Sequence, residues 1–330
     1  MLKMRTFHMR ILVCLRILVC LLLTLVSALS GLAAGTKQNG RIVFTGNQSG
    51  TWQLYTMEPD GTDVTQITHL PTNNAEGFLP DVSPDGKRVV FCFGILPIGD
   101  DAPKTEIFVV NMDGTRLKQL THDGRFDCAP RWSPDGSLII FARESPRTHQ
   151  TVVTIMHPDG THLKTLTTDL WGTFRAAYTP DQKKIVFESQ QAGFIDVLRV
   201  MDADGSNNKR LTPAPPKAGG PGVSATGEIV YINNLNSPIT LPNIIFARNI
   251  SGSLQKQLTH PVGASHDVSP NFSPDGQKIV FASDRLSSDN SLDIFIMDAD
   301  GTNLTRVLSG ITIGGCPSGN CVTPAWGAKP

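Results

Sequence analysis

Short apolar runs separated by turn residues set the rhythm of this chain, and long helical periodicities are scarce. A β-branched pair closed by an aromatic recurs six times: Ile42-Val43-Phe44, Val89-Val90-Phe91, Ile139-Ile140-Phe141, Ile185-Val186-Phe187, Ile229-Val230-Tyr231 and Ile279-Val280-Phe281. Runs of this kind, bounded by turn residues, predict strands. An Asp-Gly turn follows in phase, at Asp60-Gly61, Asp113-Gly114, Asp159-Gly160, Asp204-Gly205 and Asp300-Gly301, with a weaker Ser251-Gly252. A third landmark trails each turn: Gln66-Ile67-Thr68, Gln119-Leu120-Thr121, Thr165-Leu166-Thr167, Arg210-Leu211-Thr212, Gln257-Leu258-Thr259 and a looser Arg306-Val307-Leu308. The repeat is about 48 residues long, a period that marks stacked structural units.

Each unit divides into four strands. The first precedes a Ser-Pro-Asp-Gly turn, the second is the β-branched run, the third leads into Asp-Gly-Thr, and the fourth ends in Leu-Thr. Gly accepts positive φ and Asp bonds its own backbone, so both turns are tight reversals. A four-stranded meander of this size cannot bury its faces alone, and six of them predict an all-β, six-bladed β-propeller of antiparallel blades. The first unit lacks an innermost strand, whereas Thr323-Pro324-Ala325-Trp326-Gly327 copies Ala129-Pro130-Arg131-Trp132-Ser133. The C-terminal strand is therefore expected to close the ring, leaving no free sheet edge.

Residues 1–34 stand apart from the repeats. Lys3, Arg5, Arg10 and Arg16 precede an apolar or small run from Ile17 to Ala34, the pattern of a signal peptide. An uncleaved anchor is the alternative, because the run just reaches spanning length. Export to the periplasm or beyond is expected, with the propeller occupying residues 35–330 and no membrane span after signal removal. Removing the signal leaves Cys92, Cys128, Cys316 and Cys321. Cys316 and Cys321 bracket the turn-forming Pro-Ser-Gly-Asn, and a disulfide is expected there. Cys92 and Cys128 are left as either a contact between blades or two buried thiols. Twenty-nine basic against 29 acidic residues give a net charge of zero, which argues against a sequence-independent grip on nucleic acid.

The copies of Ser-Pro-Asp-Gly at Ser83–Gly86, Ser133–Gly136 and Ser273–Gly276, each followed by a β-branched strand, Asp-Gly-Thr and Leu-Thr, resemble the PD40 (WD40-like) repeats of the TolB-type propeller over about residues 40–330. The resemblance implies a six-bladed ring. The named family member is a periplasmic component of the Tol-Pal envelope system, carries an α/β domain ahead of its propeller, and receives a peptidoglycan-associated lipoprotein at the propeller mouth. Here only Gly35 to Asn39 separate the apolar segment from the first strand. Contacts that the family makes at the inner membrane are therefore not expected to carry over.

Alternation places both tight turns of every blade on one face and the long, irregular connections on the other. Binding residues gather on such loops when a rigid scaffold holds them, so a ligand is expected at the long-loop mouth of the channel. The candidates are His122, Asp127, Arg131, Arg175, His266, Asp267 and Asn271. His69, His122 and His260 follow Ile-Thr or Leu-Thr in three repeats and read as turn caps rather than metal ligands. Arg131, Arg175 and Asn271 are expected to pair with Asp127 or Asp267, or else to line the channel and hold an anionic or polar group. Asp284, Asp289 and Asp293 have the composition of a calcium loop but read as turn chemistry. No cofactor or metal is expected, with calcium or another divalent ion at the channel mouth as the alternative. Signatures of hydrolases, zinc peptidases and phosphate loops are missing. The leading expectation is a monomeric, non-catalytic propeller binding a protein or glycan of the envelope or extracellular space. The alternative is a hydrolase or lyase acting on carbohydrate or peptide at the channel mouth.

Overall fold

The computed structural model describes residues 37–71, 75–95, 104–168, 172–191, 195–212, 217–234, 243–251, 255–260, 265–287, 291–311 and 322–330. The segment read as a signal lies wholly outside these, as do Cys316, Cys321 and Asp289. Six four-stranded antiparallel sheets are present. Five are uninterrupted meanders; the sixth pairs Ala325–Ala328 with Asn39–Gly46, so the C-terminal strand is the innermost strand of blade 1. Trp326 locks this closure by donating its indole N–H to the Gly40 carbonyl at 3.0 Å. Among the described residues no helix is long and apolar enough to cross a membrane.

The repeated motifs each have a mechanical role. Second strands such as Ile139–Glu144 are sandwiched between neighbouring blades, and Ile139, Ile140 and Phe141 are wholly buried. Burial on both faces explains why these runs are continuously apolar instead of alternating. In four blades an aromatic pair meets across the second and third strands: Phe44 with Tyr55, Phe91 with Phe108 and Phe281 with Phe295 at 5.7 Å between centroids, and Tyr231 with Phe246 at 6.1 Å. Such cross-strand pairs stabilise a sheet beyond simple area burial. In the Ser-Pro-Asp-Gly turn, the Ser133 hydroxyl donates to Asp135 at 2.7 Å and accepts from the Leu138 N–H at 2.9 Å. That serine is a turn clasp and carries no paired base.

Leu-Thr proves to lie beyond the fourth strand rather than at its end. Strands such as Lys118–Gln119 are two residues long, and the following threonine continues the ladder with its side chain. The Thr121 hydroxyl accepts the Ile107 N–H at 3.0 Å, and Thr68, Thr167, Thr212 and Thr259 do the same for Leu54, Val153, Leu198 and Ile245. Blade 6, whose copy lacks the threonine, instead has a longer outer strand, Thr305–Ile311.

The Asp-Gly-Thr glycines also set the spacing between blades. A Cβ on Gly160 would stand 2.6 Å from the Leu120 carbonyl oxygen of the preceding blade, and one on Gly114 would stand 2.7 Å from that of Ile67. Positive φ and close backbone approach therefore both demand glycine there.

Cys92 on the second strand of blade 2 and Cys128 on the inner strand of blade 3 form a disulfide, with Cα atoms 5.0 Å apart. The two readings left open by the sequence are thus resolved as a covalent contact between blades. The repeat unit Gln38–Pro330 is one compact body.

Candidate functional site

The inner strands bring two different charged assemblies to the middle of the ring. The first lies where inner strands begin. Asp127 opens the strand Asp127–Trp132 and is fully buried, and its carboxylate accepts from Arg143 Nη1 at 3.2 Å. Arg143 also contacts Asp123. Glu106 joins the group: its carboxylate accepts from the Thr121 hydroxyl at 2.5 Å and from the Gly124 N–H at 2.7 Å. Ligand oxygens of Glu106, Asp123 and Asp127 lie within 4.8 Å of one another. Burial raises the Asp127 carboxyl to about 7, against the opposing pull of Arg143. Three such carboxylates are the donor set a hard divalent cation would use, but Arg143 already serves two of them, Asp123 and Asp127, as counter-ion.

Blade 6 repeats the same device. Asp267 opens Asp267–Phe272, is buried, and accepts from Arg285 Nη2 at 2.6 Å. The Arg285 guanidinium also lies 5.3 Å from the Phe281 and Phe295 ring centroids, a favourable cation–π placement. Asp284 accepts the His266 N–H at 2.6 Å, and Asp293 accepts from Arg306 at 3.2 Å and from the Gly310 N–H at 2.8 Å. These aspartates act as turn and ladder acceptors. The partners of Asp127 and Asp267 are thus Arg143 and Arg285, which differ from the expected Arg131 and Arg175. Each pair closes within its own blade, where the second strand runs beside the first.

The second assembly surrounds the axis. A cavity of about 40 Å³ is lined by all six blades, and its wall includes Arg131, Arg175, Asn271, Ser269, Gly220 and Thr323. In five blades a β-bulge interrupts the inner strand, and a residue there has positive φ: Phe78 at 77°, Ala129 at 53°, Arg175 at 38°, Gly220 at 61° and Ser269 at 53°. Bulges re-aim side chains and increase local twist, so this level of the ring is where the chain turns residues toward the axis. Arg131, Arg175 and Asn271, singled out from the sequence, meet there. Ser269, Gly220 and Asp81 were not singled out. A signal existed: Pro80, Pro130, Pro221, Pro270 and Pro324 recur at one place in five inner strands, and proline within sheets is confined to edges and bulges.

Asp81 accepts the Trp132 N–H at 2.8 Å. Burial raises its carboxyl to about 6, with the Arg131 charge pulling the other way. Burial lowers the Arg131 guanidinium; Asp81 counters this, and the neighbouring charge of Arg175 adds to it. These groups are only partly covered, because the surface they expose is the wall of the channel.

The remaining candidates sit nearer the outside. His122 is exposed, and His266 is half-buried, its ring Nδ1 lying 3.4 Å from the Asn243 nitrogen. His69 and His260 each pair with the glutamine three residues earlier, Gln66 at 3.0 Å and Gln257 at 3.2 Å, and so act as turn partners.

Ring, bulges and axial cavity define the class: a six-bladed β-propeller with a narrow polar core. Residues 79–231 match the protein-family profile described as PD40, TolB beta propeller domain, and over that stretch the chain is similar to TolB-type propellers. TolB from Acinetobacter baumannii superposes with a TM-score of 0.67 at 22% identity, covering 87% of this chain and 66% of that one. A chain of a Nidogen/Laminin complex superposes with a TM-score of 0.64 at 10% identity, covering 87% of this chain and 97% of that one. A 60-residue stretch is 42% identical to Dipeptidyl-peptidase 5 of Porphyromonas endodontalis, covering 18% of this chain and 9% of that protein. The match therefore spans a small fraction of that relative's length.

Proposed function

We propose that this chain is an exported, non-catalytic propeller that binds a protein or glycan partner of the cell envelope or extracellular space. In this reading the partner rests on the long-loop face, contacting His122 and His266 at the rim, while Arg131, Arg175 and Asn271 meet a protruding group at the axis. Asp127 and Asp267 hold the rim in shape through Arg143 and Arg285. The observation that carries the reading is the size of the axial cavity. About 40 Å³ admits the tip of a side chain or chain end, whereas small-molecule sites commonly enclose about 300–1,000 Å³. Among the described residues no nucleophile is paired with a base at that level. A disulfide between blades supports an oxidising compartment, in agreement with the N-terminal signal pattern.

The likeness to TolB and to a chain of the Nidogen/Laminin complex supports a scaffold role, since the latter was solved as a complex of two proteins. The stretch shared with Dipeptidyl-peptidase 5 favours a second reading, in which the ring handles peptides for a hydrolytic function. One experiment separates the two. The purified chain and a His122→Ala/His266→Ala variant are tested for turnover of peptide and polysaccharide panels and for crosslinked capture of an envelope partner. Capture by the native protein, loss of capture in the variant and no turnover are expected. Turnover that disappears in the variant would establish the enzyme instead.

A further inference from the structure

We propose that the axial cavity is a carboxylate-binding site, in which Arg131 and Arg175 supply the cationic donors and Asn271 and Ser269 complete the shell from across the ring. The inference rests on the binding reading above in that the carboxylate would belong to what the ring holds. It is carried by donors that lack acceptors. Among the described residues neither the Arg131 nor the Arg175 guanidinium makes a direct hydrogen bond or ion-pair contact, the Asp81 charge acting on Arg131 without touching it, and the Asn271 side chain likewise makes none. The buried Ser269 hydroxyl is also unpartnered. Protein interiors rarely leave polar groups in this condition, and the exceptions call for a ligand or ordered solvent.

The nearby acids do not relieve these donors. Asp81 is engaged by the Trp132 N–H at 2.8 Å, and Glu188 accepts the Gly220 N–H at 2.7 Å. The two guanidiniums, with the Asp81 charge offsetting part of that of Arg131, suit a monoanion better than a dianion. They leave many N–H groups in planar forks, which match a monoanionic carboxylate bidentately. The cavity volume sets the same limit, because about 40 Å³ accommodates a carboxylate and little of what it is attached to.

The backbone is shaped around this arrangement. Arg175 and Ser269 both sit at positive φ, a conformation that costs a non-glycine residue roughly 1–3 kcal/mol and persists where the surroundings enforce it. At Gly220 a Cβ would stand 2.9 Å from Arg175 Nη1, so the missing side chain is what gives that guanidinium its room. An arginine strained at its own backbone, given space by a glycine and placed beside a second arginine lowers the stability of the free ring. Such a placement is typical of a group whose partner arrives from outside.

The full exported chain is titrated calorimetrically with sodium acetate and, at matched ionic strength, sodium chloride, then with triglycine and triglycinamide. Acetate binding beyond chloride is expected, as is a preference of at least tenfold for triglycine over its amide. Tighter binding of triglycine than of acetate assigns the end of an extended chain as the source, and the reverse assigns a free small carboxylate. Arg175→Gln is expected to weaken acetate binding at least tenfold while leaving the unfolding temperature unchanged or raised, because no protein contact is lost and repulsion from Arg131 is relieved. Arg175→Lys should recover part of the affinity. Equal response to acetate and chloride, unchanged acetate binding in Arg175→Gln, or triglycinamide binding as well as triglycine would overturn the proposal. Should acetate fail to bind while the rim still captures a partner, the carboxylate site falls and the binding reading stands. Should capture fail while acetate still binds, the reverse holds.

Discussion

The rim and the axis of this ring treat the same chemistry in opposite ways. At the rim, the buried carboxylates of Asp127 and Asp267 each have an arginine from their own blade, at 3.2 and 2.6 Å. At the axis, Arg131 and Arg175 stand side by side with no acceptor among the described residues. Burying a charge is tolerated when it is paired, and breaking one partner of a buried pair costs far more than the pair contributes. The difference therefore separates charges that hold the blades from charges kept for something the ring does not contain.

The comparison breaks most severely at Arg285. Arg285→Ala strands Asp267, which is 1% exposed, and should cost about 3–5 kcal/mol in denaturant unfolding. A loss under about 1 kcal/mol would mean that the rim pairs are not structural. The blade 2–blade 3 seam comes next. Cys92→Ala/Cys128→Ala should lower stability by about 3 kcal/mol, and a reducing agent should affect the native protein but not the variant.

A smaller effect is expected from pH. Asp127 is raised to about 7 and Asp81 to about 6, so the folded state binds these protons more tightly than the unfolded chain, where the pKa is about 4. Their contribution to stability is complete below pH 4 and is lost as pH rises through 6 to 7. Asp127→Asn should remove much of that decline, and identical stability–pH slopes for variant and native protein would refute the assignment. The smallest effect is expected from calcium. With Arg143 already among Glu106, Asp123 and Asp127, millimolar calcium should move the unfolding temperature by less than about 1 °C, and a larger rise would show that the cation displaces the guanidinium.

Nearly all of the fold was legible in the sequence, because the turn glycines and β-branched runs are imposed by backbone geometry and repeat with it. The role of Leu-Thr was less so: a threonine that extends a ladder with its hydroxyl looks, in sequence, like one more strand residue. The axis was half legible. Arg131 and Asn271 stood out as positions where the copies diverge and Arg175 as a residue near an inner strand, whereas Ser269 and Gly220 reach the cavity only because the bulge redirects them. The partners of Asp127 and Asp267 were misjudged because pairing across adjacent strands depends on register. Arg143, directly opposite Asp127, is set by that register and not by its place in the repeat.

Closure by the C-terminal strand has a further consequence, in the order of folding. The bond from Trp326 to Gly40 joins residues 286 apart, and Ala325–Ala328 must find a first blade formed from the other end of the chain. Contacts so distant in sequence are slow to form, so five blades can assemble by local meanders while the last seam waits for the final strand. Until that strand docks, the two end blades face each other across an open gap, and an axial wall built from all six blades is incomplete. The proposed axial site therefore depends on the closing strand, and a chain whose seam is open lacks part of its wall.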